Sequence, residues 1–313
     1  MSNLPLIHTI HGYRIPGTEI YIDPLIPVAH AIVSHAHGDH AVEGHENVYC
    51  SPGTAALILS RFRYPARRLH TQNFGDTFTL EGIPFSLHSA GHMLGSSQVK
   101  WERNGKSVIY TGDYKRQSDP SCEGFESVPC DIFITETTFA QPGKQHPEDA
   151  ELLPLLNKAN EMNLMIGAYS LGKAQRLTRL ISTHFPDIKI MVHPKIVPYH
   201  KVYEQQGFPL GQWEPYKREA FKHQNKIIYL VPPPVLLNFR PGKHFLRAFA
   251  TGWEEKHSRY DFAFPMSDHA DWPALIRTIL ETGASLVYTI HGDGKALAKA
   301  PELQGLQILE LDA

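Results

Sequence analysis

Cysteine is scarce in this chain of 313 residues: Cys50, Cys122 and Cys130 are the only three, an odd number with no CxxC spacing. That argues against a disulfide framework and against a cysteine-ligated zinc module, and leaves reduced thiols packed as small hydrophobes. Long apolar runs are missing as well. No window approaches the ~18 consecutive apolar residues of a membrane-spanning helix, and residues 1–10 carry neither a basic leader nor an apolar stretch, so a cytoplasmic chain with no membrane partner is expected. Net charge is close to absent, at −2, which by itself gives no sign of a nucleic-acid partner. No internal repeat or low-complexity tract interrupts the pattern, and 42% hydrophobic content is ample for a buried core.

Histidine, by contrast, is plentiful, with 19 residues, and it is unevenly spread. The densest cluster is Ser34-His35-Ala36-His37-Gly38-Asp39-His40, directly after the apolar run that ends at Val33. A strand would send His35 and His37 to one side of the backbone, because alternate side chains share a face. Gly38 permits a sharp turn, after which Asp39 and His40, on the first turn of a following helix, would reach a second position nearby. Imidazole and carboxylate donors suit zinc, with manganese or iron as alternatives in a mixed nitrogen and oxygen site. Upstream, Asp23 ends a strand and is a candidate to orient one of these imidazoles through its other ring nitrogen. Downstream, His92 stands between glycines after a strand, and Asp113 closes the strand Ser107 to Thr111, where one carboxylate can serve two cations.

Residues 7–26 read as two short strands joined at Pro16-Gly17, and Ser51 with Pro52 opens a helix. Arg61, Arg63, Arg67 and Arg68 read as a solvated basic loop. From residue 148 the pattern becomes alternately helical and strand-like, the mark of a largely parallel sheet covered by helices, with 207–215 and 232–234 as loops. Residues 146–265 carry 16 Lys and Arg against 11 Asp and Glu, whereas the rest of the chain carries 14 against 21. Bound cations would offset that acidic excess, and a polyanion could meet the more cationic segment. Ser170, Lys173 and Arg176, at a strand-to-helix junction, are candidate phosphate contacts.

The HxHxDH run resembles the signature of the metallo-β-lactamase superfamily. The strand ending Glu136-Thr137-Thr138 is similar to the first motif of its nucleic-acid-cutting β-CASP branch, and Ser267-Asp268-His269-Ala270-Asp271-Trp272 and Tyr288-Thr289-Ile290-His291-Gly292-Asp293 resemble the later motifs. The resemblance implies an α/β fold: a metallo-β-lactamase αββα sandwich (1–145 and 266–313) with a compact inserted β-CASP cap domain (146–265). It also implies two divalent metal ions, zinc foremost and manganese as the alternative. His35, His37 and His92 would hold one, Asp39, His40 and His291 the other, and Asp113 would bridge. Asp39, His269 and Glu136 are the implied catalytic residues, with His269, held by Glu136, as the proton donor to the leaving 3′ oxygen, giving 5′-phosphate and 3′-hydroxyl ends.

His291 matches ribonuclease J-like RNA-processing members rather than the Artemis-like DNA-repair group. Yet GYRIPGTEIYIDPLIPVAHAIVSHAHGDHA, RQSDPSCEGFESVPCDIFITETTF and AYSLGKAQRL resemble most the bacterial ligase-associated DNA exonucleases, which accompany an ATP-dependent DNA ligase and a helicase. The expected function is therefore a metal-dependent DNA exonuclease in DNA repair, acting on single-stranded ends. An RNA-processing nuclease is the first alternative, and a non-catalytic scaffold of the same fold is the second.

Overall fold

The computed structural model describes residues 4–217, 226–238, 245–253, 259–292 and 294–311. It divides into two compact units: one of 1–118, 122–145 and 269–313, the other of 119–121 and 146–268. The second unit reaches Asp268 and takes Asp119–Ser121, residues that the resemblance assigns to the core. Among the described residues no helix is long and apolar enough to cross a membrane.

The first unit holds two sheets. One runs β1 (Ile7–Thr9), β2 (Gly12–Arg14), β3 (Ile20–Ile22), β4 (His30–Ile32), β5 (Asn47–Cys50) and β6 (Leu69–Thr71) in spatial order, with β3 to β6 parallel. The other comprises β7 (Thr77–Leu80), β8 (Ile83–Ser89), β9 (Ser97–Arg103), β10 (Lys106–Tyr110), β11 (Ile132–Glu136), β18 (Leu286–Ile290) and β19 (Gln307–Glu310), in the order β19-β18-β11-β10-β9-β8-β7. Strand alternation sorts its residues cleanly. Val108, Tyr110, Ile132, Ile134, Tyr288 and Ile290 face Ile20, Ile22 and Ile32 of the first sheet. Their neighbours Ile109, Phe133 and Val287 face Leu275, Ile276 and Ile279 of α6 (Trp272–Thr282) on the outside. Helix α1 (Pro52–Arg61) starts where expected, with Ser51 Oγ accepting the Thr54 N–H at 3.1 Å, and packs beside β6.

Two local expectations fail here. The stretch from Ile7 to Ile15 is a hairpin of two strands, because Gly12 takes φ +114° and the chain doubles back. The helix expected after the histidine cluster is a single turn, in which the His37 carbonyl accepts both the His40 and Ala41 N–H groups.

The second unit is a sheet of β14 (Glu214–Pro215), β13 (Lys189–Val192), β15 (Ile227–Val231), β12 (Asn163–Gly167), β16 (Phe245–Thr251) and β17 (Phe262–Pro265) in spatial order, all parallel. Leu164, Ile166, Ile228 and Leu230 pack under α2 (Asp149–Asn157) and α3 (Lys173–His184). Met165, Ile227, Tyr229 and Val231 pack against Leu236 of α5 (Pro233–Asn238) on the opposite face. That helix occupies part of the stretch read as a proline loop, since Pro233 and Pro234 sit where no helical N–H is required. Helix α4 (Val197–Gln205) and β17 carried no expectation; β14 falls within the stretch read as a loop.

Candidate metal centre

Strand β4 stops at Ile32, and the chain then runs as loop and turn through Ser34 to His40, at the carboxyl end of the parallel strands. The loop is held by groups outside it. Asp23, at φ +46°, accepts the Ser34 N–H through Oδ1 at 2.7 Å. Its Oδ2 accepts from Ser34 Oγ (2.6 Å), from His40 Nδ1 (2.8 Å) and from the Tyr110 hydroxyl (3.1 Å). Because Ser34 Oγ donates to Asp23, its contact with His35 Nδ1 at 3.0 Å makes that ring nitrogen the donor. Asp23 thus fixes two imidazoles, one directly and one through Ser34, with both Nε2 lone pairs turned inward. Gly112, at φ +55°, makes room for this arrangement, since a Cβ there would stand 2.8 Å from Ser34 Oγ. On the outer side Arg61 Nη1 donates to the Ala36 carbonyl at 2.9 Å, so this arginine braces the loop.

The inward-facing nitrogens converge. His37 Nδ1 lies 3.2 Å from His35 Nε2 and 3.1 Å from His92 Nε2. A tetrahedral site with zinc–nitrogen bonds of 2.0–2.1 Å has ligand edges of about 3.3–3.4 Å, so these spacings fit an ion at the centre. Asp113 Oδ2 closes the group, 3.5 Å from His35 Nε2 and 4.0 Å from His92 Nε2. The same oxygen lies 3.4 Å from His40 Nε2, and Asp113 Oδ1 lies 3.6 Å from His291 Nδ1. Candidate ligand sets therefore form around one carboxylate: His35, His37, His92 and Asp113, then His40, His291 and Asp113, while Glu136 and His269 also lie within ligand reach of Asp113. Asp113 Oδ1 is buried and makes no hydrogen bond among the described residues, a cost that a cation would remove. The donors present fit two divalent ions.

Asp39 is not brought into either set; it is exposed on the turn one residue before His40. His291 occupies the left-handed region at φ +56°. Of five such non-glycine residues described, two, Asp23 and His291, belong to this centre, where strain of about 1–3 kcal/mol each is held by the surrounding packing. Asp293, last in its motif, lies outside the described residues.

Charge follows the geometry. Burial disfavours a charge on His35 and neighbouring His40 adds to this, so its pKa falls well below the usual imidazole value. Burial opposes charge on His40 too, but Asp113 and Asp23 outweigh it and hold that pKa well above normal. Burial would raise Asp113, and the facing His40 and His269 reverse this, keeping its carboxyl well below the ordinary range.

Beside the cluster, His269 Nδ1 donates to Glu136 Oε2 at 2.8 Å, and its ring lies 4.9 Å from that of His92 between centroids. Glu136 is fully buried and fixed by two further donors, the Tyr114 N–H on Oε1 (2.8 Å) and the Thr138 hydroxyl on Oε2 (2.6 Å). The His269 side chain is 25% exposed, so the imidazole keeps contact with solvent while its partner is locked.

The phosphate expectation for Arg176 is corrected. This side chain is buried in the second unit and committed there, with Nη2 on Asp149 (2.7 Å), Nη1 on the Ser267 carbonyl (2.6 Å) and on Asp268 (3.3 Å), and Asp119 at 4.0 Å. Lys173 is also buried, 3.8 Å from Asp268 and 5.1 Å above the Tyr169 ring. Near Ser170, which is half-buried, the start of α3 is satisfied internally, since Gln175 Oε1 accepts the Gly172 N–H at 2.7 Å. Ser34, Tyr110 and Thr138 are the supporting residues that sequence reasoning missed. Ser34 lies inside the histidine motif itself, and Thr138 follows Glu136 by two positions.

No protein-family model matches the chain. Among curated proteins it is 33% identical to a protein named probable DNA ligase from Opitutus terrae, over 95% of this chain and 30% of that one. It is 28% identical to the 5′ exonuclease Apollo of Gallus gallus, over 55% of this chain and 41% of that one. It is 29% identical to endoribonuclease ysh1 of Schizosaccharomyces pombe, over 38% of this chain and 16% of that one. The chain belongs to the metallo-β-lactamase/β-CASP family. It spans less than half the length of each of these relatives. A solved protein of unknown function from Enterococcus faecalis shares the fold, with a TM-score of 0.62 over 89% of this chain and 78% of that one at 12% identity. In this β-CASP chain every candidate metal and proton-transfer residue belongs to the first unit.

Replacing Asp23 with Ala is expected to weaken metal binding about 10- to 100-fold, because His35 and His40 both lose their orienting chain. Competition against a chromogenic chelator reads this directly. Unchanged affinity would show that Asp23 only shapes the turn before Pro24.

Proposed function

We propose that this protein is a two-metal phosphodiesterase acting on nucleic acid, a cytoplasmic DNA exonuclease that works on single-stranded ends in DNA repair. The observation that carries the reading is Asp113, placed between two imidazole sets with the Glu136–His269 pair beside them. His35, His37 and His92 would hold one ion, His40 and His291 with Asp39 the other, and Asp113 both. When bound, such a pair supplies Lewis acidity toward the phosphoryl oxygens and lowers the pKa of water toward about 7. The protein's own groups do the rest. Glu136 holds the His269 Nδ1–H, leaving Nε2 to carry the proton that the departing 3′ oxygen needs. This predicts 5′-phosphate and 3′-hydroxyl products. Zinc is the favoured metal on the donor set, with manganese as the alternative.

The name of the Opitutus terrae relative supports DNA and an association with a ligase, and a helicase is a further candidate partner. The endoribonuclease relative and His291 favour the second reading, an RNA-processing nuclease. Paired digestion of 5′-labelled and 3′-labelled single-stranded DNA and RNA of one sequence separates them. Stepwise DNA shortening from one end, absent in an Asp39→Ala/His40→Ala control, is the expected result. Preferred or internal RNA cleavage would replace the DNA reading.

A further inference from the structure

On the nuclease reading the metal centre would engage the reacting phosphate, and the neighbouring nucleotides would need contacts beyond it. A second concavity lies in the same unit, with a volume of about 530 Å³, in the size range of small-ligand sites. Its walls include Pro142, Trp272, Lys295, Lys299 and Pro301, with Glu302 as the one carboxylate among them. Trp272 is half-buried, whereas Lys295 and Lys299 are exposed.

Three chain segments join this groove to the metal centre. Trp272 follows His269 by three residues, so the two Cα atoms are at most about 11 Å apart. Lys295 follows His291 by four, a limit of about 14 Å. Pro142 lies on the loop that leaves Glu136, and this loop is tied to the start of α6 by the Trp272 N–H, which donates to the Lys144 carbonyl at 3.1 Å. The groove is thus bounded by the continuations of the same segments that carry His269, His291 and Glu136.

A groove lined by a tryptophan and two exposed lysines has a specific complement. A flat ring stacks on the indole, and a polyanionic backbone meets the lysines, which is how proteins hold single-stranded nucleic acid without reading its sequence. We infer that the Trp272–Lys295–Lys299 groove seats an unpaired nucleotide of the DNA strand next to the scissile phosphate, its base on Trp272 and its phosphates on the two lysines. This rests on the nuclease reading above and specifies the substrate: the base must be unpaired to reach the indole, so single strands and frayed ends bind and blunt duplexes do not gain from Trp272.

The test uses the full-length, metal-loaded protein and a fluorescent phosphorothioate single-stranded DNA oligonucleotide, which keeps its charge and resists cleavage. Trp272→Leu is expected to weaken binding about tenfold or more, with Trp272→Phe recovering much of the loss. Lys295→Ala/Lys299→Ala is expected to weaken binding and to lower the slope of log affinity against log salt by about 1.4, which is about 0.7 for each phosphate no longer neutralised. These lysines are exposed, so the double variant stays informative if Trp272→Leu does not fold. Binding and salt slope unchanged in the lysine variant, or a Trp272 effect of equal size on blunt duplex DNA, would overturn the inference. Cleavage of ordinary DNA by the wild type reports separately on the nuclease reading. Cleavage with unaltered variant binding removes the groove alone, and Trp272-dependent binding without cleavage removes the nuclease and leaves the groove.

Discussion

Asp113→Ala is expected to empty both metal positions together and to lower nucleolytic turnover by about 10⁴-fold or more. The reason is placement. One carboxylate oxygen lies within 3.5 Å of His35 Nε2 and His40 Nε2, which belong to different ligand sets. The other faces His291 Nδ1 at 3.6 Å. Removing this group would leave His35, His37 and His92 without a carboxylate and would take from both candidate sets the one anion they share, so two dications would repel each other unscreened in a site of low dielectric. Metal analysis after gel filtration reads the outcome. Loss of one equivalent with retention of the other would mean that Asp113 serves a single ion.

His269→Ala is expected to keep both metals and lose about 10²–10⁴-fold in turnover, the usual worth of a positioned general acid. His269 lies beside the ligand sets, hydrogen-bonded to a glutamate that the Tyr114 N–H and the Thr138 hydroxyl hold in place. A readout that a structural role would not move is the leaving group. On a nitrophenyl ester of a nucleotide, whose departing phenolate needs no proton, the loss should shrink greatly. Metal loss as complete as in Asp113→Ala would remove the acid assignment and make His269 a ligand instead.

The clustering of candidate ligands is legible in the sequence because metal chemistry constrains residue type and spacing tightly. His35, His37 and His40 are separated by intervals that a short loop can fold onto two adjacent points, and His92, Asp113 and His291 each follow a strand. The local backbone was harder to read. Alternation suggests that a strand carries His35 and His37, whereas the strand ends at Ile32, and the His35 ring is aimed by donating to Ser34 Oγ, which itself donates to Asp23. That substitution depends on a contact 11 residues upstream, which no local pattern reports.

Arg176 stands at a helix start, where sequence rules favour anions, but burial in the second unit gives it three carboxylates from Asp119, Asp149 and Asp268. Its long-range partners decide its role. Pro233 and Pro234 misled in the opposite way, since proline breaks a helix interior yet suits its first turn. Asp39 shows the remaining gap: its position in the motif marks it as a ligand, and its side chain stands exposed beside the centre it is proposed to complete.

The central claim is that two ions, bound through one shared carboxylate, make the chain a nuclease. The most direct measurement is a titration of chelator-treated protein with zinc or manganese, following cleavage of 5′-labelled single-stranded DNA against bound metal. The account predicts no cleavage without metal and a rise that completes at two equivalents. Full activity at one equivalent, or cleavage that persists after complete metal removal, would contradict it.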